Sequence, residues 1–330
     1  MNLNNRPFLL IPAAKDYLWG GNRINDDFGK NIPVSPLAES WECSVHPDGT
    51  SIVGSGVFSG EKLSQVIEDH PEFLGNHAGS AADGRFPILI KLIDAKQDLS
   101  IQVHPDDEYA LKKENSLGKT ELWYILSAKK ESHIVYGFNQ DMDIDRIEKA
   151  LNDDTILNYL NWIPVEKDDV FLIEPGTVHA IGSGTLVAEI QESSNVTYRM
   201  YDYKRKDRNG MERELHLKEA FDVLNTKESI TPRQPMRTLR YRNGYASELL
   251  GRCRYFQVER VLLNTEISRT LCDYQTDSNS FHVLLCTDGC GTISGDDFFL
   301  NFFKGDCVFV PADSIELKLH GKAQLLDVSC

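Results

Sequence analysis

The chain has 330 residues, a formal net charge of −15 and a hydrophobic fraction of 41%, enough for one large or two ordinary globular cores. Its acidity works against nucleic acid and anionic membranes as partners, and no apolar run approaches the ~20 residues that span a bilayer. Seven cysteines, an odd number without a CxxC pair, argue against a disulfide framework or a thiolate metal site and for a reducing cytoplasm.

In chain order, Phe8-Leu9-Leu10-Ile11 is a short strand stopped by Pro12, too brief for a signal-peptide core. A helix is predicted over Lys62–His70, a strand over Pro87–Asp94, a helix over Asp106–Lys113 and a strand over Leu122–Leu126. Asp143–Leu160 carries Ile144, Ile147, Leu151, Ile156, Leu157 and Leu160 at roughly helical spacing and predicts one long helix. A strand follows at Asp169–Ile173 and a helix at Leu215–Leu224, while the polar, basic stretch Lys227–Ala246 lacks a period and reads as a linker. From Tyr255 onward short apolar runs alternate with turns such as Asp288-Gly289 and Lys304-Gly305-Asp306, the pattern of an antiparallel barrel or jelly roll. The expected fold is mainly β with helical insertions: two jelly-roll barrels plus a helical segment, divided as 1–226 and 247–330.

An internal similarity supports the duplication. KDDVFLIEPGTVHAI (167–181) resembles KGDCVFVPADSIEL (304–317), and TELWYILSA (120–128) resembles SFHVLLCTD (280–288). In this alignment His179 falls opposite Ile315 and Glu121 opposite Phe281, so the polar groups belong to the first copy alone.

Those polar groups form a candidate metal site. Gln102 and His104 are two apart on a predicted strand and share a face; Pro105 keeps His104 extended. Glu121 begins a second strand and His179 ends the PGTVH turn. Two imidazoles and a carboxylate suit zinc or non-haem iron, and a neutral Gln oxygen leaves the ion its positive charge for Lewis-acid work. A lone histidine is far more often structural, and His46, His70, His77, His133, His216, His282 and His320 are read that way.

The runs LIKLIDAKQDLSIQVHPDDEYA, GKTELWYIL, EPGTVHAIGSGTLVAEIQESSNVTYRMYD and AESWECSVHPDGTS resemble the type I mannose-6-phosphate isomerases, especially their short bacterial form. The resemblance implies two cupin barrels, with one zinc ion in the N-terminal barrel held by Gln102, His104, Glu121 and His179. It implies interconversion of mannose 6-phosphate and fructose 6-phosphate, with Arg199 catalytic and Lys119 or Glu189 as proton carriers. Lys91 matches a family lysine near the pocket, and Ser100 sits where the family has a serine near the substrate phosphate. Asn195 stands where many relatives have Asp, so it can bind a hydroxyl but cannot be a base. The expected partner is a sugar phosphate, in a monomer or weak homodimer of the cytoplasm. The competing readings are an iron cupin oxygenase and a non-catalytic sugar-binding cupin.

Overall fold

The computed structural model describes residues 5–330 apart from 83, 208, 231 and 233. Its first thirteen strands are β1 (Phe8–Ile11), β2 (Ala13–Lys15), β3 (Glu39–Cys43), β4 (Ile52–Val53), β5 (Ile88–Asp94), β6 (Ile101–Val103), β7 (Glu121–Ala128), β8 (His133–Phe138), β9 (Leu160–Pro164), β10 (Val170–Ile173), β11 (His179–Ile181), β12 (Thr185–Glu192) and β13 (Tyr198–Tyr201). Eight more follow: β14 (Arg240–Arg242), β15 (Tyr245–Arg252), β16 (Gln257–Asn264), β17 (Cys272–Tyr274), β18 (His282–Gly295), β19 (Phe298–Phe303), β20 (Cys307–Val310) and β21 (Leu317–Ser329). The helices are α1 (Arg23–Phe28), α2 (Leu63–Asp69), α3 (Asn76–Ala81), α4 (Asp107–Glu114), α5 (Ile144–Asn152), α6 (Leu217–Val223) and α7 (Thr265–Ser268).

The strands form three open antiparallel sheets. A six-stranded sheet runs β10-β7-β12-β5-β3-β2, a five-stranded sheet β13-β6-β11-β8-β9, and a ten-stranded sheet holds β1, β4 and β14 to β21. The first two face each other across Ile93, Trp123, Ile125, Ile134, Phe171 and Ile181, which makes the N-terminal jelly roll. The other face of the six-stranded sheet packs through Ile88, Ile90, Leu92, Leu122 and Tyr124 onto Val258, Phe281, Val283 and Phe309 of the ten-stranded sheet. Covered on both faces, β5 and β12 are buried along their entire lengths, and the polar side chains they carry, among them Lys91 and Glu189, are buried with them. Helices α5 and α6 cover the outer face of the five-stranded sheet, with Ile147, Leu151 and Ala220 against Val135, Tyr198 and Met200.

Three expectations change. The long helix predicted over Asp143–Leu160 is broken into α5, capped by the Asp143 side chain on the Arg146 amide at 2.8 Å, and a single 3₁₀ turn at Ile156–Tyr159. Asp154 then takes a left-handed φ of 56° and Leu160 enters β9, because pairing with Phe138 outweighs the helical spacing. The predicted linker is mostly exposed among its described residues but anchored at two points: Gln234 accepts from the Val170 amide at 2.7 Å and Arg237 donates to the Asp168 carbonyl at 2.9 Å. Its end is a hairpin, β14–β15, around Asn243-Gly244, a turn signal visible in the sequence. Finally, β1 pairs with β20 and β4, so the start of the chain completes the sheet of its C-terminal part. That topology crosses the division at 226 and 247.

The internal repeat is real in register, with one shift. Glu121 lies opposite Ile173, and Val310, the counterpart of Ile173, lies opposite His282. The structural counterpart of Glu121 is thus His282, not Phe281. Likewise Glu189 pairs with both Lys91 and Trp123, and Asp327 with both Glu259 and Leu284. A slip of one residue moves a side chain to the opposite face of the sheet, and Phe281 accordingly packs between the barrels, stacked on Phe309 at 5.1 Å.

Where the barrels meet, Glu192 accepts from the Thr120 amide at 2.7 Å, with its other oxygen buried and without a partner. Burial, with Asp107 adding to it against the Thr120 hydrogen bond, pushes its carboxyl up to about 7. A carboxyl raised in the fold binds its proton more tightly there than in the unfolded chain. Stability from it is full below the ordinary 4.5 and is lost as pH rises through about 7. Glu192→Gln is therefore expected to stabilise the protein at pH 8 by on the order of 1–3 kcal/mol relative to its effect at pH 5. Urea denaturation at both pH values checks this; equal effects would remove Glu192 as the source.

Candidate active site and metal centre

The local sequence brings three ligating side chains to one point. His179 pairs with Gln102 across β11 and β6, so the PGTVH turn and the QVH strand meet directly. The Gly176 amide donates to the His104 carbonyl at 2.9 Å and fixes the turn. Gly176 has a φ of +83°, and a Cβ there would come within 2.9 Å of the Val223 carbonyl, so this position needs glycine. Glu121 enters from β7 in the opposing sheet.

His104, Glu121 and His179 have ligand atoms all within 4.8 Å of one another, the sole such cluster among the described residues. The two Nε2 atoms stand 3.1 Å apart; His104 Nε2 lies 3.1 Å and His179 Nε2 3.8 Å from the Glu121 carboxylate. The Nδ1 of His179 faces the Thr177 carbonyl at 2.8 Å and must donate to it, which leaves the lone pair on Nε2 aimed into the cluster. Gln102 places its amide 3.4 Å from the same nitrogen; an amide flip presents its oxygen instead. Burial, then Lys119, holds the His104 imidazole down at about 3, and burial also lowers His179. Burial works against ionisation of Glu121, but Lys119 and then His104 hold it well below the usual carboxylate range. Neutral imidazoles and an ionised carboxylate are the forms that bind a metal ion. Glu121 Oε1 is buried without a geometrically sound hydrogen bond, which a cation among these lone pairs would answer. The donor set fits zinc.

Gln102 and Lys119 also line a cavity of about 230 Å³ with Lys91, Ser100, Glu189, Asn195 and Arg199. All the residues singled out from sequence therefore lie in the cluster or on this cavity. Lys119 sits 3.0 Å from Glu121 Oε1, and Lys91 2.9 Å from Glu189 Oε1. The other Glu189 oxygen accepts from the Trp123 indole at 2.9 Å. Burial and the charge of Glu121 raise the Glu189 carboxyl; Glu189, Glu39 and Glu121 more than offset burial at Lys91 and keep it protonated. Ser100 donates weakly to Gln102 at 3.4 Å. Asn195 donates to Asp48 at 2.7 Å, so a carboxylate from the early HPDGTS run stands beside it.

Sequence reasoning missed Tyr17, Trp19, Glu39, Thr197 and Arg213, which line the cavity together with the apolar Ile93, Leu99 and Ile181. Trp41 lies beneath Lys91 at 5.4 Å and ties Glu39 through its indole at 2.7 Å. The missed residues belong to β3 and to loops whose approach to the cavity depends on sheet order, and no local pattern marks them.

The family described as phosphomannose isomerase type I, catalytic domain, matches residues 8–121. Mannose-6-phosphate isomerase ManA of Bacillus subtilis is 36% identical over 328 residues, spanning 98% of this chain and 99% of that protein. The chain belongs to the type I mannose-6-phosphate isomerase family. A crystal structure of the mannose 6-phosphate isomerase from Bacillus subtilis superimposes with a TM-score of 0.88 at 33% identity, over 98% of this chain and 99% of that one. A zinc-bound mannose 6-phosphate isomerase shares the fold at a TM-score of 0.75 and 17% identity, over 98% of both chains. The chain thus carries the cupin-type fold of the isomerase family. No helix among the described residues is long and apolar enough to cross a membrane.

Proposed function

We propose that the chain is a zinc-dependent aldose–ketose isomerase that interconverts mannose 6-phosphate and fructose 6-phosphate. The observation that carries this reading is the cavity: it reaches a buried His/Glu/His cluster through Gln102 and Lys119, and it gathers four cations, Lys91, Lys119, Arg199 and Arg213, in a chain of net charge −15. A sugar phosphate needs both parts. An oxygenase or a passive binding module accounts for only one.

Gln102, His104, Glu121 and His179 would hold one zinc ion per chain, which when bound supplies a Lewis acid that stabilises negative charge on the sugar's C1 and C2 oxygens. The reaction moves a proton between C2 and C1 through an enediolate. Lys119 and Glu189 are the two groups placed to carry it: both are 4% exposed, so they exchange with bulk water only through the cavity. The raised carboxyl of Glu189 suits a group that accepts and returns a proton. Arg199 contributes a fixed positive charge to the oxyanion, while Ser100, Lys91 and Asn195 orient the sugar.

Incubation of the purified protein with mannose 6-phosphate should yield fructose 6-phosphate, cease with a chelator and resume with zinc. Metal analysis should give one tightly bound zinc per chain, because the second barrel sets His282, Asp327 and Glu259 at the equivalents of Glu121, Glu189 and Lys91 without a converging triad. Undiminished turnover by zinc-free protein would sink the zinc reading, and two tight zincs would sink the stoichiometry.

A further inference from the structure

We infer that Arg213 is the residue that recognises the phosphate group of the substrate, held for that role by Asp202 and Arg205. The inference rests on the isomerase reading above and deepens it by assigning one end of the ligand.

Of the cavity's four cations, two are already neutralised. Lys91 pairs with Glu189 and Lys119 with Glu121, at 2.9 and 3.0 Å. Arg199 has no carboxylate partner among the described residues, and Arg213 shares its partner, Asp202, with Arg205. Arg213 donates Nε to Asp202 Oδ2 at 2.7 Å and Nη2 to Oδ1 at 2.5 Å. Its Nη1 makes no hydrogen bond among the described residues, and its side chain, 23% exposed, lines the cavity. A guanidinium gripped along one edge presents its remaining donors in a fixed direction, and that fork matches a phosphate.

The grip is itself braced. Asp202 is 5% exposed and also pairs with Arg205. Arg205 donates to the Asp98 carbonyl at 2.5 Å and stacks over Tyr203 at 5.0 Å. The segment bearing Arg213 is sewn to Arg199: Arg199 Nη1 donates to the Glu214 carbonyl at 2.8 Å, and the His216 amide to the Arg199 carbonyl at 2.8 Å. The Nε of Arg199 is buried without a partner. Arg199, Arg205 and Arg213 gather round one carboxylate, Asp202, so positive charge exceeds negative charge at that point. A phosphate monoester carries about −1.5 to −2 at pH 7, and its charge would offset that excess.

The test uses the zinc-loaded full chain with Arg213→Gln, Arg213→Lys and Asp202→Asn. Arg213→Gln should raise KM for mannose 6-phosphate by roughly 10- to 100-fold, with kcat within about threefold of the parent. Arg213→Lys keeps the charge but loses the fork, and should raise KM by roughly threefold to tenfold. Inorganic phosphate binding, measured by calorimetry without turnover, should weaken in parallel. Asp202→Asn leaves every arginine in place and loosens the grip, so KM and phosphate affinity should move in the same direction with kcat retained. A purely structural Arg213 would lower kcat and thermal stability together and leave phosphate affinity unchanged. Should Arg213→Gln fail to fold, Arg213→Lys decides. The inference is overturned by phosphate binding that is absent in the parent or equal in parent and variants. If no fructose 6-phosphate forms yet phosphate binding still depends on Arg213, the isomerase reading fails and the anion site stands.

Discussion

His179→Ala is expected to remove zinc and isomerase activity together, each by at least roughly 100-fold. Loss of an outer-shell partner alone typically costs 10- to 100-fold, and His179 is placed in direct reach of the ion. Its Nδ1 is fixed by the Thr177 carbonyl at 2.8 Å and its Nε2 faces His104 at 3.1 Å, so no other side chain can take over the position. Glu121→Ala should do the same with an added penalty. It strands Lys119, 4% exposed and 3.0 Å from the carboxylate, and leaving one member of a buried pair uncompensated costs about 3–5 kcal/mol. The two variants should therefore differ in urea denaturation of the zinc-free protein while resembling each other in metal content and turnover. Full activity in a zinc-free variant would rule out the proposed chemistry.

Arg199→Lys should lower kcat by roughly 10²- to 10³-fold, the usual consequence of losing one oxyanion donor, with KM within about threefold and zinc content unchanged. The backbone of Arg199 pairs with Gln102 across β13 and β6, and both residues line the cavity. Lysine keeps the charge but offers neither the planar fork nor the bond to the Glu214 carbonyl. The expected split is opposite to that at Arg213: kcat at Arg199, KM at Arg213. Parent-like kcat in Arg199→Lys would return Arg199 to the role of a scaffold residue.

The contrast between the two arginines illustrates what a sequence can and cannot disclose. Arg199 stands in NVTYRMYD, a run that resembles a family motif, and is legible on that ground. Arg213 stands in MEREL, an ordinary polar stretch. Its place on the cavity follows from its bond to Asp202 and from the strapping of residues 214–216 to Arg199. Neither fact has a local signature. The same holds for Glu39, which reaches the cavity because β3 pairs with β5.

The sequence by itself determined the β-rich character, the repeat, the candidate metal cluster and the family. Strand periodicity, the QxH spacing and the PGxxH turn are local, and local geometry places Gln102 and His104 on one face whatever else surrounds them. The tertiary structure decided what depends on pairing between distant segments. It sent β1 to the C-terminal sheet, ended α5 at Asn152 and docked Gln234 and Arg237 of the expected linker. It also set the register that makes His282, rather than Phe281, the counterpart of Glu121. The physical reason is that a strand's face is fixed by its neighbours: alternation has a period of two, and a single step inverts inside and outside.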